Sequence, residues 1–449
     1  MKRKIKHLST THIVLIGFLA IILVGSLLLA LPISSATGKS VPYIDALFTS
    51  TTATCVTGLV TLPTVSTWSV FGQVIILLLI QIGGLGVITI ATGILVMLGK
   101  RISLANRILI QDSFNLNTMS GMVKFIKKVM VGTFIIEGIG ALLYMTVFVP
   151  EFGAKGIWIS VFNSVSAFCN AGIDIIAESS LCDYALNPII NITTSILIIF
   201  GGIGFVVWWD LLRIIKDKKC RHWRFLTLHS KIALSVTVFL IISGTILFFL
   251  FEYNNPQTMQ NYSFVEKIEA SFFQSVTTRT AGFATIPQEN LTNQSAVVSL
   301  LLMFVGGSPV GTAGGIKTVT LLLLLLTAVS VVRNKRTVDA FNRRISENSI
   351  KKAVAVFVTS LAVMITSTVL LSTVSNGDFL DIIYETVSAT ATVGLTRNFT
   401  PTLNFMGKII IIATMYFGRV GPISLAIAFG MKKESENIIK NPVEEISVG

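Results

Sequence analysis

Charged residues are scarce in this chain. Only 13% of its 449 residues are Asp, Glu, Lys or Arg, whereas soluble proteins carry about 25%. The hydrophobic share is 52%, and the mean hydropathy is +0.78. Apolar segments take up nearly the whole length, which excludes a large soluble domain and predicts an all-α polytopic membrane protein.

The residues that build metal centres and disulfides are also few. The four cysteines, Cys55, Cys169, Cys182 and Cys220, form no Cys-x-x-Cys pair, so neither a zinc site nor a disulfide framework is indicated. The four histidines lie in or beside basic stretches. No cluster of His, Asp and Glu, and no Ser/Lys pair, falls inside an apolar segment. We therefore expect no catalytic residues and no enzyme.

Acidic residues are few where basic residues collect. Most lysines and arginines fall in five stretches: 1–11, 97–128, 211–231, 333–352 and 431–449. Basic residues on alternate connections between spans mark the cytoplasmic side, which predicts that both termini and three internal connections are cytoplasmic. The net charge of +13 is then topological, with attraction to membrane lipid or a cytoplasmic partner, and does not indicate nucleic acid.

Eight apolar segments are long enough to cross a membrane. They are about 12–31, 70–97, 125–149, 191–215, 232–252, 295–332, 353–374 and 405–430. The first follows a basic start but has no small-residue cleavage site, so we expect a retained helix rather than a signal peptide. Between the members of each successive pair lies a segment of about ten residues, which is too short to span and suits a re-entrant pore helix.

These short segments carry one motif four times. The copies begin with an aromatic residue, continue through small or hydroxyl residues and end at Gly58, Gly172, Gly282 or Gly394, about 110 residues apart. The pattern predicts four repeats of outer helix, pore helix, filter and inner helix around one axis. A bundle without re-entrant helices would leave the four short apolar segments unexplained.

The filter strands are predicted to bind a dehydrated cation through backbone oxygens. The carboxyl end of each pore helix carries a partial negative charge, and glycine allows conformations that turn carbonyl groups inward. The candidate residues are Val56, Thr57, Gly58, Asn170, Ala171, Gly172, Thr280, Ala281, Gly282, Thr392, Val393 and Gly394. The alternative is that small residues only allow close helix packing, but four copies at matched spacing favour the filter.

Two inner segments depart from the repeat. Arg419 stands where the other inner segments have glycine, and a charge at membrane depth normally faces a cavity or a partner. We expect it below the filter as a barrier or latch, the alternative being a buried ion pair. The third inner segment carries five glycines and Pro309 within 306–315, so it cannot remain one regular helix. We interpret it as a gate loop, the alternative being a static kink.

The residues assigned to the gate are Gly306, Gly307, Ser308, Gly311, Thr312, Gly314, Gly315, Lys317 and Arg419. Lys317 is expected to anchor the loop to a carboxylate or to the pore. Arg279, inside the third filter segment, is expected to point backwards and brace the loop, because a cation on the axis would repel the transported ion. Asp174 and Glu385 are its candidate partners.

The chain resembles the Trk/Ktr/HKT superfamily of cation transporters, and most of all its Ktr-type membrane subunits. The likeness covers about residues 10–430 and rests on the four filter glycines, 278–283, the loop 306–315 and 417–422. Trk-type subunits usually have an extra N-terminal helical hairpin, which is absent here. Some members carry sodium and have serine at the first filter glycine, so Gly58 suits potassium.

The resemblance implies potassium uptake across the bacterial cytoplasmic membrane, with potassium bound at the filter. It also implies a homodimer with one pore per protomer, a cytoplasmic ring of RCK subunits (KtrA type) that alone bind nucleotide, and stimulation by sodium. A sodium-permeable or alternating-access cation symporter of the same superfamily is the alternative. Alternating-access transporters typically have two inverted repeats.

The predicted organisation has six parts. They are a cytoplasmic N-terminus (1–11), repeat 1 (12–98, filter 54–58), repeat 2 with its lead-in (99–216, filter 168–172), repeat 3 (217–333, filter 278–282), repeat 4 (334–430, filter 390–394) and a cytoplasmic tail (431–449).

Overall fold

A computed structural model describes residues 10–97, 122–216 and 223–421. The predicted tail 431–449, the end of the last inner segment, most of the N-terminal stretch and parts of two basic connections lie outside these ranges. Within them the chain is almost entirely helical. The one sheet they contain is a two-stranded hairpin, in which β1 (Asp339–Ala340) pairs antiparallel with β2 (Arg343–Arg344).

Sixteen α-helices are described, and their order repeats four times as an outer helix, a pore helix and an inner segment. The outer helices are α1 (Thr10–Leu29), α6 (Met122–Phe152), α10 (Leu228–Glu252) and α14 (Glu347–Val374). The pore helices are α2 (Tyr43–Cys55), α7 (Ala154–Cys169), α11 (Phe264–Thr277) and α15 (Phe379–Ala391). The inner segments are α4 (Val70–Leu85) with α5 (Val87–Met97), α8 (Pro188–Gly202) with α9 (Phe205–Lys216), α12 (Asn293–Phe304) with α13 (Thr318–Val332), and α16 (Phe405–Val420). One short helix, α3 (Thr64–Thr67), precedes α4.

The four outer helices are the continuous spans of the described chain. Each holds 18 to 30 residues of sufficient hydropathy to cross a membrane. The bent pair α8 and α9 would make a fifth if it is counted as one span. Each outer helix packs against the pore helix that follows it. The prediction of an all-α polytopic fold is confirmed.

The inner segments are broken more often than the sequence analysis predicts. Continuous inner helices over 70–97 and 191–215 are wrong, because the chain breaks at Gly86 (φ 87°) and at Gly204 (φ 94°). At the second break α9 turns through 98° relative to α8. A left-handed backbone is strained for most residues and open to glycine, so the last glycine of each Gly-Gly-x-Gly sequence ends the helix.

A serine of the pore helix binds the outer helix in three repeats. Ser50 donates a hydrogen bond to Ile22 O (2.7 Å), and Ser164 donates one to Glu137 O (2.6 Å). Ser275 does the same in the third repeat, to a carbonyl of α10. A Cβ atom on Gly25 would lie only 2.5 Å from Ser50 Oγ, so the outer-helix glycine makes this contact possible. These serines fix the depth of each pore helix.

Side chains also fix where helices begin. Ser263 accepts a hydrogen bond from Glu266 N at the start of α11, and Glu266 accepts one from Ser263 N (2.7 Å). Such a capping box satisfies two backbone groups that the helix leaves unpaired. The bond from the Ser263 backbone also holds the pKa of exposed Glu266 below its ordinary value.

Candidate functional site: a ring of four filter strands

Three pore helices end in the same tight backbone turn. Val56, Asn170 and Thr392 adopt left-handed conformations, with φ between 50° and 59°. The next backbone N–H reaches back to the last turn of the helix, as in Thr57 N to Thr52 O (2.8 Å). This is a Schellman motif, which usually has glycine at the left-handed position. Here larger residues occupy it, so the turn stores backbone strain beside the filter.

Hydroxyl groups hold the filter strands from behind. Thr52 Oγ1 accepts a hydrogen bond from Gly58 N (3.0 Å), and Ser388 Oγ accepts one from Gly394 N (3.0 Å). In the third repeat Thr277 Oγ1 donates to the carbonyl after the filter glycine (2.6 Å). These hydroxyls are used to shape the backbone. The carbonyl groups are thereby left free to serve as ligands.

The four filter glycines form a closed ring in chain order. A Cβ atom built on Gly58 would lie 3.1 Å from Cα of Gly394 and 3.2 Å from Cα of Gly172. One built on Gly282 would lie 3.0 Å from Cα of Gly172 and 3.3 Å from Cα of Gly394. All four glycines have positive φ, from 63° to 101°. Neither the space nor the backbone conformation admits a side chain here.

The carbonyl group before each glycine faces this ring. A Cβ atom on Gly58 would lie 2.7 Å from Ala171 O, and one on Gly172 would lie 2.7 Å from Ala281 O. The other two glycines face Val393 O and Thr57 O in the same way. The structure therefore brings the predicted filter residues of all four repeats together. Rings of carbonyl oxygens are the arrangement that replaces the hydration shell of a monovalent cation.

The inner segments close in beneath the filter. A Cβ atom on Gly83 would lie 2.9 Å from Val56 Cγ2, and one on Gly306 would lie 3.0 Å from Thr280 Cγ2. Gly314 is packed against Thr392 Oγ1. Thr280 Oγ1 and Thr392 Oγ1 are buried and have no hydrogen-bond partner within the described ranges. Both threonines belong to filter strands that touch the inner segments.

The loop between α12 and α13 is fastened to the break in the second inner segment. Ser308 N donates to Gly202 O (2.8 Å), Thr312 N donates to Gly201 O (3.1 Å), and Phe205 N donates to Val310 O (3.0 Å). Thr312 Oγ1 also donates to Phe168 O at the end of α7 (3.1 Å). The predicted loop 306–315 is thus an ordered, non-helical segment that is bonded to α8 and to the end of α7.

Arg419 lies between this loop and the first inner segment. Its Nη1 donates to Thr312 O (2.5 Å), while its Nη2 donates to Gly83 O (2.5 Å) and Gly84 O (3.3 Å). No ion pair with a carboxylate is formed in the described part of the chain. Within these residues Arg419 is held by carbonyl groups and not by the buried ion pair that is the alternative. A guanidinium can bridge two carbonyl groups because its nitrogens point in fixed, separate directions.

Lys317 also binds the loop, but not as the sequence analysis expects. Its Nζ donates to Ala313 O (2.6 Å) and Gly314 O (3.4 Å). The expected anchor is a carboxylate or the pore; in the described part of the chain the ammonium group is held by carbonyls of its own loop, and no carboxylate pairs with it. Together Arg419 and Lys317 occupy the carbonyl oxygens of three successive loop residues.

The expected partners of Arg279 are wrong. Asp174 accepts a hydrogen bond from Ser180 Oγ (2.7 Å), and Glu385 accepts bonds from Thr396 and Thr400. Arg279 instead reaches Thr237 Oγ1 (3.5 Å) and Gly306 O (3.4 Å) through Nη2. The side chain does point away from the ring and towards the loop. It braces the loop through a carbonyl, because the carboxylates are already used by hydroxyl donors.

Residues that the sequence analysis missed join the repeats on the other side of the ring. Lys408 forms an ion pair with Asp45 (2.5 Å), which links repeats 4 and 1. Arg397 pairs with Asp381 (2.7 Å) and donates to Gln288 O (3.2 Å), which links repeats 4 and 3. A signal was present, since Arg397 follows Gly394 by three residues and a cation near a filter needs a counter-charge.

Comparison with known proteins places this architecture in a family. Residues 8–441 match the family model TrkH, described as "Cation transport protein". The chain is 40% identical to the potassium/sodium uptake protein NtpJ of Enterococcus hirae, over all of this chain and 99% of that protein. It is 39% identical to the Ktr system potassium uptake protein B of Bacillus subtilis, over 98% of this chain and 96% of that protein. The crystal structure of the potassium transporter TrkH from Vibrio parahaemolyticus aligns with a TM-score of 0.74 at 17% identity, covering 96% of this chain and 86% of that chain.

Proposed function

This chain belongs to the TrkH family of cation transport proteins, and from that premise we propose that it takes up potassium through a channel-like pore at the ring of filter strands. The family is one of membrane transporters, not of enzymes. The observation that carries the proposal is the ring itself, in which four glycines abut and each faces a carbonyl of the neighbouring repeat. The relatives named for potassium uptake support the choice of ion.

The twelve predicted filter residues would act mainly through their backbone. Carbonyl oxygens replace water around the ion without adding a fixed charge, so the ion binds and still leaves. The four pore helices direct their partially negative ends at the same place, and each adds about 0.3–1 kcal/mol in an exposed setting and more where water is scarce. Side chains at these positions differ between repeats, as expected if they are not the ligands.

The loop at 306–315, Lys317 and Arg419 would form the gate. Arg419 and Lys317 place two cations beneath the ring, where they repel an incoming ion. Both are fastened to carbonyl groups of residues 312–314. Opening requires these bonds, and those between the loop and α8, to be replaced. A gate of this kind would exchange these bonds for others as it opens.

Family membership also suggests how the protein assembles and how its transport is regulated. We propose a homodimer in the bacterial cytoplasmic membrane, with both termini cytoplasmic and an RCK ring of the KtrA type as the nucleotide-binding partner. Sodium would stimulate uptake. The names of the relatives support a multi-subunit Ktr system and the involvement of sodium.

A sodium-permeable member of the family is the second candidate. The relative in Enterococcus hirae is named for potassium and sodium together, which is the observation that favours it. An alternating-access cation symporter is the third, and four repeats around one ring support it less than two inverted repeats would.

Growth rescue tests the proposal. The chain should restore growth of a potassium-uptake-deficient bacterium at low potassium, and more so with an RCK subunit and sodium present. A matched Gly282→Ser variant, which places a side chain inside the ring, should not. Equal rescue by both proteins, or rescue by neither at normal membrane levels, would reject potassium uptake through this ring.

A further inference from the structure

Helix α9 runs in an unusual direction. It leaves α8 at 98°, immediately after Gly204. The outer helices are the spans of this fold, and α8 belongs to the bundle they surround. A turn through a right angle therefore directs α9 along the membrane plane instead of through it.

The two sides of α9 differ in the way that suits a membrane surface. Phe205, Trp208 and Ile214 are buried against the protein. Leu212 and Ile215 are 38% and 60% exposed, while the last turn carries Arg213 and Lys216. A short helix with an exposed apolar side and basic residues lies in the interface between headgroups and acyl chains.

The neighbouring turn extends this surface. Trp223 and Phe225, at the entry to α10, are 49% and 48% exposed, and Arg224 lies between them. Arg213 Nη2 donates to Phe225 O (3.0 Å), which fixes the turn against the helix. We define the α9 surface as Leu212, Arg213, Ile215, Lys216 and residues 223–225. Aromatic residues beside basic ones are typical of a membrane interface.

The charge balance of the α9 surface selects its occupant. The carboxylate that contacts it, Asp210, is buried and already binds Arg213 (2.7 Å) and Thr227 (2.8 Å). Lys128, on α6, adds a further cation beside the α9 surface, because its Nζ lies 4.7 Å from the ring of Trp209 on α9. Among the described residues of this surface the cations therefore outnumber the anion, and they stand among apolar side chains. An anionic headgroup with acyl chains matches both features.

We propose that the α9 surface is a binding site for an anionic phospholipid. Arg213, Lys216 and Arg224 contact the phosphate, and the exposed apolar side chains contact the chains. Phe205 is the first residue of α9, and its N–H donates to Val310 O of the loop. A lipid bound to α9 therefore contacts the helix to which the proposed gate loop is bonded. The site does not depend on the transport function and can be tested without it.

Native mass spectrometry of the purified full-length chain measures this binding. Dioleoylphosphatidylglycerol should be retained more tightly than dioleoylphosphatidylcholine, with a preference that falls as salt rises. The triple variant R213Q/K216Q/R224Q should bind phosphatidylglycerol at least about tenfold more weakly, because each basic residue near the headgroups contributes about a fivefold effect. The control R344Q/K351Q/K352Q removes the same charge from another exposed basic region and should bind as the parent does.

Four results would overturn the proposal. Equal retention of both lipids by the parent chain would do so without any variant. Equal weakening in the triple variant and in the control would show general attraction and no site. Unchanged phosphatidylglycerol binding in a triple variant that elutes as the parent does would show that these residues do not bind lipid. Binding of a second copy of the chain or of a soluble subunit at the α9 surface, with no lipid there, would assign the surface to protein contact.

Discussion

At the scale of single residues, the filter requires glycine at four positions, because a side chain there would not fit. A Cβ atom on any of the four glycines would meet backbone of the next repeat, and backbone cannot move aside as a flexible side chain can. The positive φ values add a second reason for glycine. Behind the strands, the hydroxyl groups of Thr52, Thr277 and Ser388 hold the backbone in place.

A comparison of Gly58→Ser with Gly38→Ser separates the effect of missing space from the effect of a positive φ. Gly38 also has a positive φ (69°), but nothing lies within 4 Å of its Cβ position. We expect Gly58→Ser to lower the potassium-over-sodium permeability ratio about tenfold, which corresponds to about 1.4 kcal/mol. Gly38→Ser should leave the ratio unchanged. Ratios measured from reversal potentials that stay equal in both variants would remove Gly58 from the filter.

Arg419→Ala should raise potassium flux severalfold. The change deletes a cation beneath the ring together with its bonds to Thr312 O and Gly83 O. Arg419→Lys should fall between the parent and the alanine variant, because an ammonium keeps the charge but cannot bridge both carbonyls. Rubidium uptake into proteoliposomes measures the effect. Arg397→Ala, which removes an arginine from the other side of the ring, is the control, and an identical increase there would argue against a specific latch.

At the scale of elements, the third repeat differs from the others in the hydroxyl residue that supports its filter strand. Thr52, Ser166 and Ser388 stand six residues before their glycines, whereas Thr277 stands five before Gly282. The third pore helix accordingly ends without the turn shared by the other three. Arg279 lies between this threonine and the filter glycine and turns back to Gly306 O. The repeat that carries the loop is thus also the one with the altered filter support.

Thr312→Val should weaken the attachment of the loop 306–315 to α7 and leave the loop otherwise unchanged. Valine has nearly the shape of threonine but lacks the hydroxyl that donates to Phe168 O. We expect a two- to fivefold rise in rubidium uptake, since a neutral hydrogen bond contributes about 0.5–1.5 kcal/mol. Thr327→Val removes a comparable bond to Leu323 O inside α13 and should have no effect. If the two variants transport alike, the bond to α7 does not hold a gate.

The sequence predicts the repeated elements well and their ends poorly. Length, hydropathy and the recurring glycines suffice for the outer and pore helices, because each depends on local pattern. The breaks at Gly86 and Gly204 are missed, since an isolated glycine in an apolar run is also compatible with a continuous helix. Arg279 and Lys317 both bind backbone carbonyl groups of the loop, and these partners are missed because every residue carries such a group.

At the scale of the whole molecule, four similar units meet at one ring and are joined by side-chain and backbone bonds between repeats. An ion pair links repeat 4 to repeat 1 and a hydrogen bond links repeat 4 to repeat 3 on one side, and the loop links repeats 2, 3 and 4 on the other. The ring is therefore shared by all repeats, while the elements beneath it belong to particular ones. Selectivity and gating can then be changed separately by substitution.

A single ring also predicts how transport responds to ion gradients. In a pore, the current reverses at a voltage set by the permeant ion alone, so a tenfold potassium gradient should shift the reversal potential by about 59 mV. A sodium gradient at equal potassium should not move it. Planar-bilayer recordings of Arg419→Ala, chosen for its expected larger flux, measure both. A reversal potential that follows the sodium gradient in fixed proportion would indicate coupled symport, because coupling requires both ions to move together through alternating sites.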